Sequence, residues 1–312
     1  MNASRLSSSS ASSALPLPSH PRRALFERKK HSTEHPRRAL FERKKTRREN
    51  TMSCCCPPGA TAYLAAVPTT VGSLKESNGV EFYETGAASS AAIILFPDVW
   101  GWNSGRTRAL ADAFAGGGYR VYVPKLLAPP LEGGTDGDGL PPTFDMGARG
   151  AEFGPWIKTV PWSSVGPKVE ALLAYARAAG ATSFGAVGCC WGGWAVFQAS
   201  ALDAGVKCGV IFHPSCHIEG VYGGDVGELC GRVRCPVYFM PAGGDSPDLY
   251  GPEGSLVTTL AAKFPGTKTK LFADMAHGWT SRGDAADPAV KRDVELAMTE
   301  AKAYFAELLP VA

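Results

Sequence analysis

Short apolar runs alternate with helically spaced stretches along most of this chain, and that alternation constrains its fold more than any other feature. AAIILFPD (91–98), RVYVPKL (120–126), SFGAVGCC (183–190), CGVIFHPS (208–215) and VYFMPAG (237–243) read as strands, with TKTKLFADM (267–275) as the last. Between them lie helical patterns at 106–114, 169–180 and 191–204, and a long one closes the chain at 288–309. A strand with one wetted face shows polar residues at every second position. Strands apolar throughout need cover on both faces, which is the condition of a mostly parallel α/β sheet. The expectation is one α/β domain over residues 52–312. An insertion begins near Pro129, and the Gly/Pro-rich stretch 128–142 reads as a long surface loop or cap segment.

In such sheets functional groups gather at the carboxyl ends of the strands. SFGAVGCCWGGW crosses from strand to helix at that end. Gly188-Cys189-Cys190-Trp191-Gly192 is G-x-C-x-G, a nucleophile elbow with sulfur in place of oxygen. Centring the motif on Cys189 instead would require glycine-sized residues at Val187 and Trp191, so Cys190 is the expected apex and Cys189 faces the sheet. A thiol there meets the positive end of the helix dipole, which favours the thiolate. The Trp191 backbone N–H points to where an oxyanion would form.

Two further groups follow in the order nucleophile, acid, histidine. Asp245 sits in GGDSPD after the fifth run, with Asp248 as a rival, and His277 sits in AHGW after the sixth. His213 also follows a strand, so a place near the site is open to it, beside the expected role of bonding its ring to nearby backbone.

With LFPDVWGWN ahead of them, GCCWGGW, AGGD and AHGW resemble the dienelactone hydrolase (carboxymethylenebutenolidase-like) family of α/β-hydrolases; MSCCCPPG at Met52 resembles the start of eukaryotic members. The resemblance implies an α/β-hydrolase fold and a Cys190–His277–Asp245 triad that cleaves small ester or lactone bonds without a cofactor. It implies that Asp98 contacts the resting thiol and that Val99 supplies a second oxyanion N–H. Family members acting on dienelactone bind its carboxylate through arginines, one of them after the second buried strand. Here that region, VPKLLAPPLEGG, has Lys125 but no arginine. Arg282 is then the candidate substrate-binding residue, with Arg149 a more distant one.

Charge separates the first residues from the rest. Residues 1–51 hold 13 Lys and Arg against 4 Asp and Glu, a net +9, whereas the remainder holds 19 against 25, a net −6. A mildly acidic body argues against nucleic acid as a partner, because phosphate binding needs a basic surface on the folded part. The first 51 residues carry SSSSASS and two copies of HPRRALFERKK, at 20–30 and 35–45. They read as a disordered leader, as a spurious extension ahead of Met52, or as a targeting segment.

Nine cysteines without a secretory signal fit a reducing compartment: the cytoplasm, or a plastid or mitochondrion if the leader is a transit peptide. Cys54, Cys55 and Cys56 read as a surface cluster. Cys216, His217, Cys230 and Cys235 lack a Cys-x-x-Cys pair, so no metal is expected. No apolar run approaches the roughly 18 residues of a membrane span. The expected partner is a small ester or lactone, with or without a carboxylate. Two alternatives stand beside this reading: a binding protein that keeps the fold without the chemistry, and a hydrolase of another ester or of a glycan-derived substrate. A thiol triad lacks the paired carboxylates that glycoside cleavage normally uses.

Overall fold

The computed structural model describes residues 56, 57, 60, 65 and 68–311, so the expectations for residues 1–51 and for Cys54 and Cys55 lie outside the described residues. Eight strands form one sheet: β1 (Ser73–Ser77), β2 (Val80–Thr85), β3 (Ala91–Phe96), β4 (Arg120–Pro124), β5 (Ser183–Cys189), β6 (Val206–Phe212), β7 (Val237–Met240) and β8 (Lys268–Thr269). Their order is β1-β2-β4-β3-β5-β6-β7-β8. The pairs β1–β2 and β2–β4 are antiparallel, and all the others are parallel. The helices are α1 (Thr107–Ala115), α2 (Met146–Ile157), α3 (Trp162–Ala178), α4 (Trp191–Leu202), α5 (Val226–Arg232), α6 (Pro247–Tyr250), α7 (Ser255–Lys263), α8 (Trp279–Arg282) and α9 (Pro288–Leu308).

The two-sided burial expected of the apolar runs is present. Along β3, Ala92, Ile94 and Phe96 pack with residues of α3, α4, α5 and α7. Ala91, Ile93 and Leu95 face the opposite layer, made by α1 and α9. Helix α4 is apolar nearly all round and is buried from Trp191 through Ser200, as such a helix must be. Helix α9 is started by Asp287, whose side chain accepts from Ala289 N, with Pro288 in the first turn.

The first antiparallel hairpin was not among the expected strands. Its signal was local: Asn78 and Gly79, at φ 52° and 74°, make the two-residue turn that Asn-Gly favours. The polar strand SLKES has no apolar run to mark it, as suits the exposed edge of a sheet.

The stretch 128–142 is only partly a surface loop. Asp138 is fully buried, and its carboxylate accepts from Leu127 N (2.6 Å) and Trp102 N (2.9 Å). Burial pushes this carboxyl up to about 6, against the pull of those two donors. Leu140 N donates to Val99 O at 2.9 Å, and a Cβ on Gly139 would come within 2.5 Å of the Trp100 carbonyl carbon. The segment therefore docks on the turn after β3, which it fixes beside the end of β5.

Candidate active site

Cys190 stands between β5 and α4 with φ 54° and ψ −114°. That conformation is costly for any residue with a Cβ, and it persists only where the surroundings over-determine it. The two glycines of the motif supply those surroundings. A Cβ on Gly188 would lie 2.4 Å from the Gly192 backbone, and one on Gly192 would lie 2.2 Å from Phe96 O. Strand, helix and the turn after β3 can meet only because both are glycine. The Cys190 backbone is bonded on both sides: its N–H donates to Phe212 O at 3.1 Å, and its carbonyl accepts from Gly193 N (2.9 Å) and Ser215 N (3.1 Å). The neighbouring Cys189 packs in the opposite core layer, where burial and then the Asp98 charge push its thiol upward.

The turns after β7 and β8 are joined to each other. Gly243 N donates to Met275 O at 2.9 Å, and a Cβ at Gly243 would meet Ala273 O at 2.2 Å. Asp245, in the first turn, accepts from Ala242 N at 2.7 Å through Oδ2 and faces His277 Nδ1 at 2.6 Å through Oδ1. Its rival Asp248 lies exposed on α6. With Nδ1 held by the carboxylate, Nε2 of His277 is turned to the thiol side. Ser215 Oγ lies 3.5 Å from that nitrogen and 3.4 Å from Cys190 Sγ. Burial pulls the His277 imidazolium down, but the negative charge of the Cys190 sulfur and the bond to Asp245 outweigh it and hold the ring at about 9. His213 is buried beside it with ring centres 5.0 Å apart and is kept neutral by burial and by His277. Its Nε2 lies 2.6 Å from Thr280 Oγ1, a side-chain partner rather than the expected backbone one.

Trp191 is the first residue of α4, so its N–H has no carbonyl to meet within the helix. Val99 is buried in the turn after β3, which Gly192 contacts at Phe96 O and Pro97 O. Both oxyanion candidates therefore belong to segments that meet at the elbow.

Asp98 and Arg282 are paired with each other. The Asp98 carboxylate accepts from Trp100 N (2.9 Å) and Ser104 Oγ (3.0 Å) through Oδ1, and from Ser281 Oγ (2.6 Å) and Arg282 Nη1 (2.5 Å) through Oδ2. Four donors occupy the roughly four acceptor positions of the carboxylate. Arg282 is fully buried, with its guanidinium 3.9 Å from the centre of the Trp100 ring. It is the charge partner of Asp98 before it is a receptor for a substrate carboxylate. Burial lowers its affinity for its proton, while the charges of Asp98, Cys56 and Cys190 raise it and prevail. Arg149, the other candidate, pairs with Glu152 on the surface.

Three residues at the site were not anticipated. Ser215 follows β6, where the rule about strand ends could have flagged it. Arg106 donates to the carbonyls of Trp279, Thr280 and Gly283, which ties α8 to the start of α1. Cys56 was expected at the surface; instead it is buried, and its sulfur lies within 4.8 Å of both Cys190 Sγ and a ring nitrogen of His277. No local pattern links it to a motif more than a hundred residues away. In the other cysteine group, the Cys230 thiol donates to Leu256 O and the Cys235 thiol lies within hydrogen-bond distance of Ser200 Oγ.

Comparison with known proteins finds similarity at two levels, fold and family. Among solved structures, a putative dienelactone hydrolase from Klebsiella pneumoniae covers 77% of this chain and 100% of its own at a TM-score of 0.57 and 14% identity. Est1E from Butyrivibrio proteoclasticus with bound ferulic acid covers 75% and 99% at a TM-score of 0.53 and 11% identity. The fold is that of the α/β-hydrolases. The sequence profile of the dienelactone hydrolase family matches residues 79–309, and the chain belongs to that family of hydrolases. Among curated relatives, the carboxymethylenebutenolidase homolog of Rattus norvegicus is 27% identical over 208 residues, 65% of this chain and 77% of that protein. Hydrolase tropI of Talaromyces stipitatus is 27% identical over 262 residues, 82% of this chain and 96% of its own. Among the described residues, no helix is long and apolar enough to cross a membrane.

Proposed function

We propose that this family member is a cysteine-dependent hydrolase of small ester or lactone bonds, with Cys190 as nucleophile, His277 as acid and base, and Asp245 orienting the ring. The observation that carries the reading is His277, held by Asp245 through Nδ1 at 2.6 Å, with Ser215 Oγ 3.5 Å from its Nε2 and 3.4 Å from the sulfur of the strained elbow. The sulfur attacks the ester carbonyl carbon, and the carbonyl pair moves onto oxygen, where the Trp191 and Val99 N–H groups receive it. Collapse expels the alkoxide, which takes the His277 proton. The ring then removes a proton from water, and the resulting hydroxide releases the acid from the thioester. Ser215, between sulfur and imidazole, positions both.

A carboxylate-bearing lactone would have to share Arg282 with Asp98, so neutral esters are the better first substrates. The non-catalytic alternative leaves unexplained why a residue with a Cβ is kept at positive φ beside a carboxylate-oriented histidine. The test is a panel of small neutral and anionic esters and lactones offered to the full chain and to its Cys190→Ala variant. Turnover that survives the substitution would remove the thiol from the chemistry.

A pH profile checks the role of the ring. The imidazolium supplies the proton for the leaving alkoxide, so kcat/KM should fall on the alkaline side as His277 deprotonates near about 9. In Asp245→Asn the bond that favours the charged ring is gone, so the alkaline limb should move to lower pH. A limb that stays in place or moves up would show that another group sets it.

A further inference from the structure

The hydrolytic scheme leaves Cys56 without a task, although it is buried against the reacting groups. Two nearby residues touch the site. Pro57 lies against Gly244, next to Asp245, and Ala65 N donates to Arg282 O at 2.9 Å. Cys56 Sγ, Cys190 Sγ and a ring nitrogen of His277 all lie within 4.8 Å of one another, and Nε2 is the nitrogen on the Cys190 side, since Nδ1 faces Asp245. We propose that these three atoms form a binding site for a thiophilic divalent cation of the zinc type, which silences the hydrolase by taking its nucleophile and its base together.

Two thiolates and an imidazole are ligands that zinc prefers, and three protein ligands leave a fourth position for water. With metal–sulfur bonds of about 2.3 Å and a metal–nitrogen bond of about 2.0 Å, a tetrahedral site needs ligand atoms a little under 4 Å apart. The side chains therefore have to close by about 1 Å or less. The surroundings suit the ion as well. His277 Nδ1 already faces the Asp245 carboxylate at 2.6 Å, the support that zinc-bound histidines commonly have. Binding forms two metal–sulfur bonds and one metal–nitrogen bond, and the protons that the three groups carry leave to solvent. No electron changes hands, and a chelator reverses the step.

This inference rests on the proposed roles of Cys190 and His277, so its test includes a readout that does not need turnover. The full chain, kept reduced with a phosphine, is titrated with buffered zinc while ester hydrolysis is followed, each variant being scored against its own metal-free rate. It is also titrated with cobalt(II), and the visible and near-ultraviolet bands of a tetrahedral thiolate complex are recorded. Wild type should lose its activity to zinc, regain it with chelator, and show the cobalt bands. In Cys56→Ser the zinc needed for half inhibition should rise by more than the roughly 10- to 100-fold that outer-shell changes cost, and the cobalt bands should weaken. Cys54→Ser/Cys55→Ser should behave as wild type. Equal zinc sensitivity in Cys56→Ser, or cobalt bands that depend on Cys54 and Cys55 instead, would overturn the site. A protein that binds cobalt through Cys56 but cleaves no ester would leave the site standing and refute the hydrolase reading. One that cleaves esters without binding either metal would do the reverse.

Discussion

Cys190→Ala should lower kcat/KM for every ester the protein cleaves by at least roughly 10,000-fold, because losing the nucleophile of a comparable triad costs on the order of a millionfold. Stability should move the other way from activity at this position. The elbow residue sits at φ 54° and ψ −114°, where a Cβ is unfavourable. Cys190→Gly removes that Cβ, and relief of about 1–3 kcal/mol of backbone strain should raise the unfolding midpoint while hydrolysis is lost. Cys189→Ala is the matched control. That thiol is buried in the opposite layer, so truncation should cost about 1 kcal/mol and leave most of the turnover. Initial rates and thermal unfolding of the three variants decide the matter. A folded Cys189→Ala with no activity beside an active Cys190→Ala would move the apex by one residue. A Cys190→Gly variant less stable than wild type would show that the elbow stores no strain.

The frame of the molecule was legible because burial on both faces leaves a dense signal. Strands β3 to β7 and helices α1, α3, α4 and α9 carry apolar residues that no surface element would need. The elbow was legible because two glycines at fixed spacing have a steric cause, and both prove to be in contact with backbone. The acid and the histidine followed from the ends of β7 and the segment around β8, since a parallel sheet delivers its loops to one edge. What escaped had no local cause. Cys56 and Cys190 lie more than a hundred residues apart in sequence, and only the tertiary structure brings them together. Asp138 lies in a Gly/Asp-rich stretch whose composition reads as solvated, yet two backbone N–H groups hold it inside. The hairpin of β1 and β2 is half polar, and only its Asn-Gly turn marks it. Asp98 and Arg282 were singled out for the thiol and for substrate, but nothing in a sequence says that two opposite charges far apart in the chain will neutralise each other first.

That neutralisation sets the second large effect. Both side chains of the Asp98–Arg282 pair are fully buried, with Nη1 and Oδ2 2.5 Å apart. Deleting one partner strands the other charge in the core, which costs about 3–5 kcal/mol, whereas removing both charges together is often close to neutral. Arg282→Met should therefore unfold at markedly lower denaturant, and Asp98→Asn/Arg282→Met should recover part of that loss despite carrying one more substitution. The chemistry should respond as well. Arg282 and the Cys190 sulfur feel each other's charge, so without the guanidinium the thiolate is less favoured and iodoacetamide should alkylate Cys190 more slowly. A residue whose work is to receive a substrate carboxylate would behave differently. Its loss would raise KM for anionic lactones, spare neutral esters, and leave the unfolding free energy near that of wild type. Denaturant titration of the two singles and the double separates these cases. If the losses simply add, the pair is not coupled, and Arg282 returns to being a candidate for substrate binding.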